Sequence, residues 1–275
     1  MAYKLALHRV PDSLRKTARE QLEGAADGLV RPEDPVDAVH DARKRIKKSR
    51  ALLRLARPAM PSRSFRAYNR ELREQGRALS GARDADVLVE TLDDLAQHNS
   101  RRIHKPHVTA VRNHLAERAQ GAPPEHDVGS VAGTVEAWPV DRADAGTLVR
   151  ALTDTYKRGR RAYQQARDQP TTEHLHEWRK RAKDLWYQQQ LLQRVWPDVM
   201  KALAGEAKAL SKLLGSDHDL AVLSGELPPG DPLLPLIADR RSQLQSEAFA
   251  LGSRIYAESP KAFRKRVRRY ARAVA

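Results

Sequence analysis

A nine-residue pattern occurs twice in this chain. Val39-His40-Asp41-Ala42-Arg43-Lys44-Arg45-Ile46-Lys47 and Leu175-His176-Glu177-Trp178-Arg179-Lys180-Arg181-Ala182-Lys183 both read apolar, His, acid, any residue, Arg, Lys, Arg, apolar, Lys. Downstream of each, a glycine precedes a second shared segment. Gly81 is followed by Arg83-Asp84-Ala85-Asp86-Val87-Leu88, and Gly215 by His218-Asp219-Leu220-Ala221-Val222-Leu223. Two matches that keep their order and nearly their spacing point to a tandem duplication of one multi-helix unit.

The unit is helical because the residues between the motifs are mostly Ala, Leu, Arg, Gln and Glu, all good helix formers. Apolar residues recur every three or four positions, and no stretch alternates as a strand would. The periodicity predicts helices over 12–28, 36–57, 63–80, 84–98, 105–119, 146–168, 172–195, 198–214, 219–225, 233–253 and 260–273. Asp34-Pro35 and Thr171 are natural helix starts, a capping side chain with proline at the first position in one case and a capping threonine in the other. Between 121 and 145 the pattern fades into Gly121, Pro123, Pro124, Gly129, Gly133 and Pro139, which reads as a linker. The expected layout is one domain over 1–275, with a first helical repeat at 12–120 and a second at 146–273.

On a helix at ~100° per residue, each motif separates into two faces. In the first, Val39, Ala42, Ile46 and Leu53 make the apolar face, and His40, Arg43, Lys44, Lys47, Arg50 and Arg54 fall on the adjoining one. In the second, Leu175, Trp178, Ala182 and Leu185 are apolar, and His176, Arg179, Lys180 and Lys183 form the stripe. A charged run on a helix is ordinarily a solvated face of mixed sign, since like charges one turn apart repel. Here the acids Asp41 and Glu177 stand off the stripe in both copies. Repulsion repeated at matched positions is best relieved by a bound polyanion. Each stripe opens with a histidine near a helix N-terminus, where the dipole disfavours imidazolium. That histidine is either a neutral hydrogen-bond donor or a phosphate ligand that gains charge in the complex.

The whole chain carries the same sign. Its 275 residues hold 50 Lys+Arg against 35 Asp+Glu, a formal charge of +15, with a mean hydropathy of −0.68. Such a charge opposes compaction unless an anion offsets it. Cysteine is absent, so no disulfide or Cys-held metal is possible. No apolar run approaches the ~20 residues of a membrane span. Met1-Ala2-Tyr3-Lys4 opens no secretory signal, and the expected compartment is the cytoplasm.

The residues His40/Arg43/Lys47 and His176/Arg179/Lys183, a twofold His-x-x-Arg-x-x-x-Lys, resemble the CHAD family, the conserved histidine α-helical domain. So do the segments after Gly81 and Gly215. The resemblance implies an all-α fold of two tandem four-helix-type repeats with pseudo-two-fold symmetry around a central basic groove or pore. It also implies binding of inorganic polyphosphate, at granules, with no catalysis. By position, the contacts it implies are His40, Arg43, Lys47, His176, Arg179 and Lys183, then Arg83 and His218. Lys44, Lys180, Arg50 and Arg54 join them from the helical projection. Asp184, Gln189 and Gln190 replace Lys48, Leu53 and Arg54 of the first copy, so the second stripe is expected to be shorter.

Polyphosphate suits the composition, because it offers dense charge and no bases, and aromatics are only 5 %. Readers of single-stranded nucleic acid add stacking aromatics. General RNA binding by the same basic surface is the second reading, and an enzyme acting on polyphosphate or nucleotides the third. No cofactor is expected. Of possible metal ligands, His104 and His107 flank a proline, His174 and His176 diverge by ~200° on a helix, and Asp217-His218-Asp219 reads as well as a helix start. No phosphate loop, nucleophile elbow or His-Glu-x-x-His motif is present. The basic C-terminal segment, 261–270, is expected to dock by Phe263, Val267 and Tyr270.

Overall fold

In a computed structural model, residues 3–30, 32–79, 84–117 and 127–274 are described, with the side chains of residues 84 and 85 excepted. Among them are eleven α-helices and no strand: α1 (Val10–Leu29), α2 (Pro35–Ala56), α3 (Ser62–Ala78), α4 (Asp84–His98), α5 (Lys105–Glu117), α6 (Val128–Gly133), α7 (Ala145–Asp168), α8 (Thr172–Leu191), α9 (Pro197–Glu226), α10 (Leu233–Ile255) and α11 (Pro260–Arg272). The fold is all-α, as the periodicity predicts.

Both motif helices start where their caps are. The Asp34 carboxylate accepts from the Val36 and Asp37 amides at 2.8 and 3.1 Å. The Thr171 hydroxyl accepts from the His174 amide at 3.2 Å. These bonds satisfy amides that have no partner inside the helix. The apolar face of α8 is deeply placed. Leu175, Trp178, Ala182 and Leu185 are all buried, with Trp178 fully so. Trp178 fits only because α10 passes it with Gly252, where an added Cβ would meet the indole at 2.5 Å.

Two predictions about boundaries differ from the structure. The segments 198–214 and 219–225 are one continuous helix, α9. Gly215 and Ser216 look like a stop, but Asp217 is buried and accepts from Arg241 Nε at 3.0 Å and Gln245 Nε2 at 2.8 Å on α10. That tertiary anchor outweighs the local breaker. The linker expected at 121–145 contains α6, and Val128, Val131, Val135, Trp138 and Val140 of this stretch are buried. They pack beside α1, where Arg15 Nη2 donates to the Trp138 carbonyl at 2.9 Å. The C-terminal helix α11 docks as expected, with Phe263 stacked on Tyr156 of α7 at 4.0 Å.

The buried side chains form two clusters. The larger runs through α1, α2, α7 and α8 and takes in the first half of α9. The smaller joins Leu88, Leu92 and Leu95 of α4, Val108 and Leu115 of α5, Leu220 and Leu223 of α9, and Leu236 and Ile237 of α10. α9 serves both.

Candidate polyanion-binding site

The helices α2, α4, α8 and α9 enclose a cavity of about 810 Å³. From α2 come His40, Arg43, Lys44, Lys47 and Lys48. α8 contributes His176, Arg179, Lys183, Trp186, Tyr187 and Gln190. α9 adds Lys208, His218 and Asp219, and α4 adds Val87 and Glu90. Seven lysines and arginines thus face two carboxylates across one concavity.

The floor holds the two motif helices in place. Arg54 Nη1 of α2 bonds Asp184 Oδ1 of α8 at 2.8 Å, and Gln188 Nε2 donates to the Ala51 carbonyl at 3.3 Å. Tyr3 donates its hydroxyl proton to the Lys48 carbonyl at 2.7 Å and sets its ring edge-on to Tyr187. Asp184 is the departure from the first copy, and its carboxylate takes the charge of Arg54.

The crowding of cations shows in their proton affinities. Lys47 opens on the cavity but has protein on its other sides. Burial, then the charges of Lys183, Arg43 and Arg179, lowers its pKa to about 7. Lys183 falls to about 8, through burial and then Arg179, with Arg43 adding and Asp219 opposing. His176 is pushed down to about 4 by burial and by His218, Lys180 and Arg179. His218 is lowered by burial and Arg179. The two imidazole rings lie 4.3 Å apart, and neither Nδ1 has a protein hydrogen-bond partner. Arg179 Nη1 is 3.8 Å from Asp219 Oδ1. Burial and neighbouring cations thus disfavour the charged forms of Lys47, Lys183, His176 and His218 together.

Of the twelve residues that the sequence proposes, eight line this cavity: His40, Arg43, Lys44, Lys47, His176, Arg179, Lys183 and His218. Three do not. Arg54 is spent on Asp184 in the floor. Lys180 turns outward to Glu177, 2.7 Å away. Arg50 sits one turn beyond Lys47, with Nε donating to Asn69 of α3 at 3.4 Å. A helical wheel gives direction but not depth, so it could not separate these three from the rest. Arg83, like Gly81, lies outside the described residues. Asp217 and Asp219 point apart, one to Arg241 and the other to Arg179.

A family model for the CHAD domain matches residues 14–228, which include both motif helices. The chain belongs to the CHAD domain family. This family is one associated with polyphosphate binding. No curated protein matches in sequence. Among solved structures, PptA from Streptomyces chartreusis is similar with a TM-score of 0.59 at 15% identity, covering 90% of this chain and 99% of its own. The CHAD domain from the plant Ricinus communis is similar with a TM-score of 0.57 at 18% identity, covering 100% of this chain and 94% of its own. At these identities the likeness is one of fold.

The cavity of this CHAD domain also holds residues that sequence reasoning missed. Lys208 stands over the Trp186 ring, 5.7 Å from its centre, and Trp186 stacks on Tyr187. Lys208 precedes Asp219 by three helical turns, ~20° apart in projection, and so shares its face. That relation exists only if α9 is unbroken, and a split at 215 hides it.

Proposed function

We propose that this CHAD domain binds inorganic polyphosphate in the cavity between α2 and α8 and does not cleave it. The observation that carries the reading is the convergence of Arg43, Lys47, Arg179 and Lys183 on one space, where burial and then their mutual repulsion depress both amines. A linear chain of phosphates relieves that repulsion residue by residue through charge-assisted hydrogen bonds. The two histidines supply further donors once protonated. Long chains, such as those held in cytoplasmic granules, can engage cations from α2, α8 and α9 at once where a compact ligand reaches fewer. Nucleic acid would leave its bases with a single cavity-lining aromatic pair, Trp186 and Tyr187.

Calorimetric titration of long-chain polyphosphate at ~0.15 M salt, where weak surface attraction is screened, tests this. The His40/Arg43/His176/Arg179→Ala variant, checked for folding, is expected to lose binding. Binding that survives in it assigns the ligand to another surface. Phosphate release on incubation with Mg²⁺ or Mn²⁺ would refute the non-catalytic part.

A further inference from the structure

Outside the cavity, one face of α3 carries a run of positive charge. Arg63, Arg66, Arg70, Arg73 and Arg77 follow one another at intervals of three and four, within an arc of ~80°. All five are exposed. Among the described residues none has a carboxylate within ion-pair distance. The opposite face is turned inward. Leu72 is buried, Phe65 and Tyr68 pack against the large core, and Tyr68 donates to the Ala137 carbonyl at 3.2 Å. The helix has two acids. Glu71 is half-buried and lies near Glu74 and Asp127, and burial raises its pKa, with both neighbours adding. Glu74 stands at the edge of the arc.

This face runs beside the cavity wall. An added Cβ on Gly76 would meet Ile46 at 3.5 Å, so the C-terminal end of α3 lies along the turn of α2 that carries Arg43 and Lys47. Arg50 bridges the two. It bonds Asn69, it follows Lys47 by one turn, and burial and then Arg54 lower its pKa to about 10, with Arg73 and Arg77 adding.

We infer that the arginine face of α3, joined to the cavity through Arg50, is a second phosphate-binding track, along which a polyphosphate chain continues after it leaves the cavity. The inference rests on the cavity reading above and extends it. Like charges one turn apart destabilise a helix, and five in a row are tolerable when an anion threads them. All are arginine and none is lysine, which favours bidentate grip on phosphate oxygens. The track is ~21 Å long at 1.5 Å per residue, so it serves long chains only. No aromatic ring is exposed along it, which favours a ligand without bases.

The test is a four-site variant, Arg66/Arg70/Arg73/Arg77→Gln, titrated with tripolyphosphate and with long-chain polyphosphate. Tripolyphosphate fits within the cavity, and its affinity is expected to match the wild type. Long-chain affinity is expected to fall about tenfold or more, and the slope of log K against log salt to shrink by about 3, at roughly 0.7 per phosphate released. The matching Arg→Lys variant keeps the charge and should keep the slope, with weaker affinity than wild type. Long-chain affinity and slope unchanged in the Gln variant, or both ligands weakened equally, would overturn the track while leaving the cavity standing. Wild type that binds neither ligand would overturn both. A single-stranded RNA that depends on these arginines when polyphosphate does not would assign the face to nucleic acid instead.

Discussion

Arg54 and Asp184 stand 130 residues apart in sequence and 2.8 Å apart in space, mostly shielded from water at the base of the cavity. They pin the last turn of α2 to the middle of α8. Arg181 of α8 also approaches Asp184, at 3.6 Å. Removing the carboxylate leaves the Arg54 guanidinium buried without its partner. Asp184→Ala is expected to cost ~3 kcal/mol of folding stability, read as a lower urea midpoint with unchanged slope. An unchanged midpoint would mean that water or another acid takes over the pair.

Polyphosphate binding should depend on pH with a definite sign. In the free protein Lys47 and Lys183 lose their protons near 7 and 8. A bound anion favours the charged amines, so binding takes up protons. Affinity should be steady with respect to these two groups below pH 7, and fall as pH rises from 7 through the raised pKa values of the complex. Titration in two buffers of different ionisation heat would show the uptake directly, and zero uptake at pH 8 would refute it. The ligand-free protein has the opposite trend. Both amines bind fewer protons folded than unfolded, so their contribution to stability grows as pH climbs from 7 toward the ordinary lysine value and is lost as pH falls.

The arginines at the heart of the cavity should outweigh the lysines of its rim. Arg43→Ala and Arg179→Ala are each expected to weaken polyphosphate binding by ~1.5–3 kcal/mol, the range for hydrogen bonds to charged groups. Lys44→Ala removes a side chain that is 49% exposed and shared with Asp41, and should cost under ~1 kcal/mol. Equal losses at all three, measured as Kd at one salt concentration, would point to a diffuse field and not to a seated chain.

Asp219 would compete with a bound polyphosphate for the cavity cations. Its carboxylate lies 3.8 Å from Arg179 and raises the proton affinity of Lys47 and Lys183. Asp219→Asn is expected to tighten polyphosphate binding by about three- to tenfold, ~0.7–1.4 kcal/mol. The ligand-free variant should melt at a lower temperature, because Arg179, Lys47 and Lys183 lose a nearby counter-charge. Weaker binding would instead give Asp219 a positive part in holding the chain.

The helical class and the faces of the two motif helices were legible because they rest on local chemistry. Period, cap and motif all lie within a few turns of one another, and His40, Arg43 and Lys47 fall on one face whatever the tertiary structure does. What was hidden depended on distant partners. Nothing near Arg54 in sequence reveals Asp184. Nothing near Gly215 shows that Asp217 will find Arg241 and keep α9 whole. With that helix cut in the reading, Lys208 lost its alignment with Asp219. The Val128–Val140 stretch is too short in its helical turns to give a period, so its burial against α1 read as a linker. The α3 arginines were plain to see, but their significance lies in Arg50 and Ile46 on the neighbouring helix.

The cavity opens where the two hydrophobic clusters meet. His40, Arg43 and Lys47 and the α8 side chains stand on the larger body, and Val87, Glu90, His218 and Asp219 stand on or beside the smaller one. Oil holds each body together, and along the cavity the seam between them is lined with repelling charge. A phosphate chain laid in that seam would act as a rivet between the two bodies. Its occupancy would be felt beyond the cavity itself, in the slowed opening of α4 and of α5, which packs on it.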